Sequence, residues 1–176
     1  MLREHGYTGF TQPRVAARAG LRQSHLTYYH PTRLDLLEAV GRAAMERQLA
    51  AVDAMLGSLP SLDAAADAIA VLVNRYENTR VLMALAQAGD EEPRLRELFR
   101  ELADGIVARL TTFLGRFGVP TVTDEPARLL HATAVGLAVV GLATGRADGT
   151  QRAADVLRPL FVMLAKGASR KAGSNR

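Results

Sequence analysis

The sequence predicts an all-α protein with an N-terminal helix-turn-helix head followed by a larger helical domain. Two observations carry this fold class. Apolar residues recur at helical intervals along nearly all of the 176 residues, and no stretch shows sustained period-two alternation bounded by turn residues. Capping residues, glycines and prolines fall between the apolar runs, where helices start and stop.

Residues 1–9 read as the end of a helix and its exit, with Gly6 and Gly9 as breakers. Only the last turn or so of a first helix is expected there. Thr11 is placed to cap the next helix, and Pro13 lies in its first turn, where a missing N–H is harmless. In the stretch TQPRVAARAGLRQSHLTYYH, apolar or small groups fall at Val15, Ala16, Ala19, Leu21, Leu26 and Tyr29, with Gly20 at the bend. Ala16 and Ala19 let two backbones approach closely. Gly20 can take the left-handed conformation that ends a helix without a side-chain clash. A short helix from about Gln23 to Tyr29 follows, which is helix-turn-helix spacing. A generic helical hairpin shares parts of this pattern, but agreement of small residues, glycine and apolar positions favours a DNA-binding head.

Pro31-Thr32 marks a new start, with Thr32 and Asp35 at capping-box spacing. Leu36, Leu37, Val40, Ala44, Ala51, Val52, Met55 and Leu56 predict a long connecting helix ending at Gly57. Residues 57–61 break it. Leu62, Ala66, Ile69, Leu72, Val73, Tyr76, Met83 and Leu85 then form one stripe up to Gly89. Asp90-Glu91-Glu92-Pro93 supplies a cap, acids matched to the helix dipole and a first-turn proline for a helix through Phe117. A loop at 118–124 leads to an apolar helix from about Pro126 to Thr144. After a turn at Asp148-Gly149 comes a last helix carrying Val156, Leu157, Leu160, Phe161 and Leu164. Pro159 lies inside that stripe and predicts either a kink or a later start. The division expected is a head at 1–45, a ligand-binding and dimerisation domain at 46–168, and a disordered basic tail at 169–176.

Charge is uneven along the chain. Residues 1–33 hold five arginines (Arg3, Arg14, Arg18, Arg22, Arg33) against Glu4, a net of +4, while the other 143 residues carry 17 basic and 17 acidic groups. The last eleven residues contribute +4 without an acid, which leaves the middle at −4. A basic head on an acidic body points to a polyanion partner at the N-terminal end.

Several function classes lose support. With no cysteine, disulfides, thiolate-zinc sites and a cysteine nucleophile are excluded. Enzyme chemistry lacks its usual marks: no pair of histidines at helical spacing, no glycine-rich phosphate loop after a strand, no nucleophile elbow. No metal or cofactor is expected. The start Met1-Leu2-Arg3-Glu4-His5 lacks the layout of an export signal, so a cytoplasmic protein is expected. The 17 uncharged residues between Arg128 and Arg146 sit at the lower edge of bilayer-spanning length. They read better as a core or interface helix, interrupted by His131, Thr133 and Thr144.

Gly6-Tyr7, Thr11, Val15-Ala16, Ala19-Gly20-Leu21, Leu26, Tyr28-Tyr29, Pro31-Thr32-Arg33 and Leu36-Leu37 together make the chain resemble the tetracycline-repressor (TetR) family of transcriptional regulators. The resemblance implies an all-α homodimer with a DNA-binding head and a ligand-sensing domain. It implies that the helix from Gln23 enters the major groove, that Thr11 and Arg33 hold phosphates, and that Tyr28 touches backbone or bases. Gln12 beside Thr11, and Gln23, Ser24, His25 and Thr27 on the polar side of the second helix, complete the expected DNA face. The chain departs from the family at Arg22, Thr27, His30 and Leu34. Arg22 replaces a small hydroxyl cap by a charge near the groove, which implies altered sequence preference.

Tyr76, Met83, Phe99 and His131 lie on or near apolar stripes of the middle helices and are the candidate ligand-binding residues. Leu137, Val140, Gly141, Leu157, Phe161 and Leu164 are the candidate dimer interface, since small residues permit close helix approach and two copies could complete a four-helix bundle. The expected function is a repressor of a palindromic operator in double-stranded DNA, released by a small-molecule effector. The alternative is a ligand-binding or interaction module with a degenerate head.

Overall fold

The computed structural model describes residues 9–173, leaving aside the side chains of Glu91 and residues 167–173. Expectations for residues 1–8 and 174–176, including the remnant of a first helix, lie outside the described residues. Among those described there are eight helices and no strand: α1 Gln12–Arg18, α2 Gln23–Tyr29, α3 Arg33–Ser58, α4 Leu62–Val73, α5 Tyr76–Glu91, α6 Pro93–Arg116, α7 Glu125–Thr144 and α8 Gly149–Gly173. The all-α class expected from periodicity is what the backbone adopts.

The chain forms two compact units, one from the segment up to Gln48 with Glu77–Leu102, the other from Leu49–Tyr76 with the segment from Ala103 on. In the first, Phe10, Ala16, Leu26, Leu36, Leu37, Ala84, Leu85, Ala88 and Leu95 form one buried cluster. The head therefore closes its core with residues of α5 and α6. The physical reason is the small apolar surface of α1 and α2, which bury little more than Ala16 and Leu26 between them. In the second unit Ala65, Ala66, Ile69, Ala70 and Val73 of α4 pack with Leu157, Leu160 and Phe161 of α8, joined by Leu130 of α7 and Phe113 and Leu114 of α6. Alanines at three of these α4 positions bring its backbone close to its neighbours.

The single stripe read from Leu62 to Gly89 is in fact two helices, broken at Asn74-Arg75. Asn74 ends α4 and its Nδ2 donates to the Ala70 carbonyl at 2.8 Å, while Arg75 N–H turns back to the Leu72 carbonyl. An asparagine side chain that satisfies backbone groups competes with helix continuation. At the other end α5 runs through Gly89 to Glu91, and the buried glycine packs against the Arg96 backbone where α5 and α6 meet.

Helix α8 starts at Gly149, ahead of its apolar stripe, and includes Pro159, so a later start is ruled out. Pro159 is exposed, and so is Asp155, whose carbonyl loses its helical donor and can turn to water. The backbone stays helical through Gly173, into the segment 169–173 that composition alone suggests is a disordered tail.

Two of the residues expected at the dimer interface are corrected outright. Leu157 and Phe161 are 0% and 1% exposed within a single chain, so they have no surface to offer a partner. Their face of α8 is the one that covers α4. Gly141 faces Tyr76 of the same chain, and Leu137 and Leu164 are half-buried against the core. Val140 remains open at 60%, in company with Leu129, Val156 and Met163. Helix α7 is long and apolar enough to cross a membrane by length and composition, and 17% of that span is buried by the chain itself.

Candidate nucleic-acid interface

The head is set by its bend. Gly20 has φ +67°, Leu21 N–H bonds to the Ala16 carbonyl at 2.9 Å and Gly20 N–H to the Ala17 carbonyl at 3.2 Å. This reciprocal pair is a Schellman ending, which satisfies the last carbonyls of α1 and turns the chain sharply into α2. Thr11 occupies the N-cap of α1 in an extended conformation, but its hydroxyl makes no capping bond. Arg22 holds the same place before α2, also without a side-chain cap.

Only Leu26 of α2 is buried, seated with Ala16 and Phe10. The other side of the helix is open: Arg22, Gln23, Ser24 and His25 are exposed, and Tyr28 is 79% exposed. Residues 9–33 contain four arginines and no acid. A short helix with an outward polar face in a basic segment is suited to phosphate attraction plus base-edge hydrogen bonding.

Not every expected contact residue is free for that task. Gln12 Nε2 donates to the His30 carbonyl at 2.7 Å and the Pro31 carbonyl at 3.3 Å, clamping the end of α2 to the start of α1. Thr27 Oγ1 donates to the Gln23 and Ser24 carbonyls of its own helix. Arg33 Nε donates to the Phe10 carbonyl at 2.8 Å and so ties α3 to the segment entering the head. Thr32 and Asp35 form the expected capping box: the Asp35 carboxylate accepts from Thr32 N–H at 3.0 Å, and Asp35 N–H donates to the Thr32 hydroxyl at 3.1 Å. The Thr32 hydroxyl and N–H, aided by Arg94, hold the Asp35 carboxyl below its ordinary pKa.

Tyr29, read from the sequence as part of the inward face, is 66% exposed and instead meets His25 in a tilted contact and Tyr28 edge to face. Leu21 and Ala19 also remain on the surface. Two turns of helix bury one large side chain, and Leu26 takes that place. Sequence reasoning missed Phe10, which is 2% exposed. The available signal is its position directly before the cap Thr11, where an apolar residue packs on the fourth helical residue, here Val15.

The four candidate ligand residues divide between the two units. Tyr76 and His131 belong to one unit and Met83 and Phe99 to the other, with Met83 45% exposed. The Tyr76 hydroxyl donates to Asn74 Oδ1 at 2.8 Å and lies against Gly141. His131 is ten residues from Gly141 on the same helix, which is about 15 Å along the axis. His131 is half-buried, and burial pushes its imidazole pKa below the ordinary value.

Residues 60–165 match the family described as tetracyclin repressor-like, C-terminal domain. The chain belongs to that family. Its fold is similar to a transcriptional regulator from Rhodococcus sp. RHA1 (TM-score 0.77, 23% identity, covering 95% of this chain and 91% of that one). It is also similar to a TetR-family transcriptional regulator from Rhodococcus sp. (TM-score 0.70, 19% identity, 93% of this chain and 92% of that one covered). A third structure, described as a transcriptional regulator from Saccharomonospora viridis in complex with choline, has TM-score 0.74 at 17% identity, with 91% and 88% covered. Comparison with curated proteins returns no significant match.

Proposed function

We propose that this regulator-family protein is a cytoplasmic, homodimeric repressor that reads a palindromic site in double-stranded DNA through α2 and is released by a small-molecule effector. The observation that carries the reading is the outward face of α2, with Arg22, Gln23, Ser24, His25 and Tyr28 exposed behind the Gly20 bend in a segment, residues 9–33, that holds four arginines and no acid. Membership of the tetracyclin repressor-like family supports the regulatory role, and the choline complex of one similar structure supports a small-molecule effector for such proteins. Two heads on a two-fold dimer would meet half-sites about 34–36 Å apart.

The test is fluorescence anisotropy with labelled duplex from the region upstream of the gene, repeated over a range of salt. The expected affinity falls with salt at a log–log slope of about −0.9 per phosphate neutralised. Absence of salt-sensitive binding by the purified dimer would count against DNA reading and for the interaction-module alternative.

A further inference from the structure

Within the second unit, the last turns of α3 and α6 enclose an open cleft of about 410 Å³, lined by Asp53, Gly57, Arg109, Thr112, Phe113 and Arg116. Arg109 and Arg116 are seven residues apart and so share one face of α6. Each reaches across to α3. Arg109 Nη1 donates to the Gly105 carbonyl at 3.0 Å, and its Nε comes within 2.8 Å of Asp53 Oδ1. That approach is off the N–H direction, because the buried Nε has no hydrogen-bond partner. The contact is therefore an ion pair without hydrogen-bond alignment, the charges meeting but the N–H not pointing at the oxygen. Arg116 Nη1 donates to the Leu56 carbonyl at 3.0 Å, and its guanidinium lies 5.8 Å and 5.6 Å from the rings of Phe113 and Phe117. Stacking fixes that plane while using few of its five N–H groups.

Gly57 adds an independent observation. It is helical, does not have positive φ, and a Cβ placed on it would meet nothing within 4 Å. Glycine weakens a helix relative to alanine, and no turn or close approach requires it here. Its effect is to leave the mouth of the cleft without a side chain.

We propose that this cleft binds a small organic carboxylate. The lining carries two guanidinium groups against one carboxylate, and the Thr112 hydroxyl already donates to the Ala108 carbonyl, so the remaining donors are those of the arginines. Asp53 shows which group this position accepts, in a misaligned form. A free carboxylate can align its two oxygens with a guanidinium edge, as the tethered one does not. The volume falls in the range of small-molecule sites, and the Phe113 ring offers an apolar wall. That occupancy also signals to the head rests on the regulator reading above.

The test is titration of the full-length protein with sodium benzoate and sodium succinate, followed by amide chemical shifts at ionic strength held constant with sodium chloride. Benzamide and inorganic phosphate serve as controls. Saturable binding of at least one carboxylate is expected, with benzamide and phosphate inert. Asp53→Asn, which removes the competing acid, should tighten binding about threefold. Gly57→Leu grows into open space and strengthens the helix; it should keep or raise the melting temperature while weakening binding about tenfold or more. The proposal is overturned by no saturable carboxylate binding, by equal binding of benzamide or phosphate, or by unchanged affinity in Gly57→Leu. Because no DNA is present, a cleft that binds in a protein unable to bind DNA would sink the regulator reading and leave this one standing.

Discussion

At Gly20 a single backbone angle holds the head together. With φ at +67° and no neighbouring atom within 4 Å of where a Cβ would stand, Gly20→Ala meets no clash, only the intrinsic cost of the left-handed region, about 1–2 kcal/mol. The expected readout is a lower denaturation midpoint with a parallel loss of DNA affinity. Leu26 acts through packing instead. It is the one buried residue of α2, and Leu26→Ala should cost about 2–5 kcal/mol and detach α2 before the second unit melts. His131 belongs to the same scale. Its imidazole binds a proton less readily folded than unfolded, so between the two pKa values the unfolded chain carries more protons and stability rises with pH. Its contribution is complete above the ordinary histidine value, about 6.5, and lost as pH falls below it. A melting-temperature curve for His131→Gln should be flatter than the parent's on the acid side.

At the scale of the element, the head is built from local rules that the sequence states openly. The Gly20 bend and the Thr32–Asp35 box both appear where residue chemistry places them, since each depends on contacts within a few positions. Thr32→Ala should lower stability by about 1 kcal/mol, and equilibrium denaturation would measure it. What the pattern hid was non-local. The stripe through Asn74 is apolar on both sides of the break, so only the side-chain bond to Ala70 reveals where α4 ends. Polar types on α2 mark a surface face, but Gln12 and Thr27 are engaged by carbonyls that only the folded chain brings near. Gln23→Ala should therefore relax preference at one base position, whereas Gln12→Ala should loosen the α1–α2 clamp and weaken all sequences alike; competition among operator variants separates the two. The Arg109–Arg116 cleft was invisible for the same reason, since it needs the end of α3 brought to α6.

For the whole molecule the open question is what covers α7 and α8. Leu129, Gly136 and Val140 are seven and four residues apart and share one exposed side of α7; Val156 and Met163, also seven apart, do the same on α8. These are the surfaces left once Leu157 and Phe161 are used inside the chain, and they leave α7 with 17% of its apolar span buried. A two-fold pairing of the two helices would bury these stripes against their own copies, with Gly136 permitting close approach. Val140→Glu and Met163→Glu place charges on that side at positions 60% and 57% exposed, so each folded chain should survive. Light scattering should report a shift from dimer to monomer. Affinity for a palindromic duplex should then drop toward that for a single half-site, since one head loses the effective concentration supplied by the other. If both variants remain dimeric, the copies meet elsewhere and the apolar stripes of α7 and α8 need another cover.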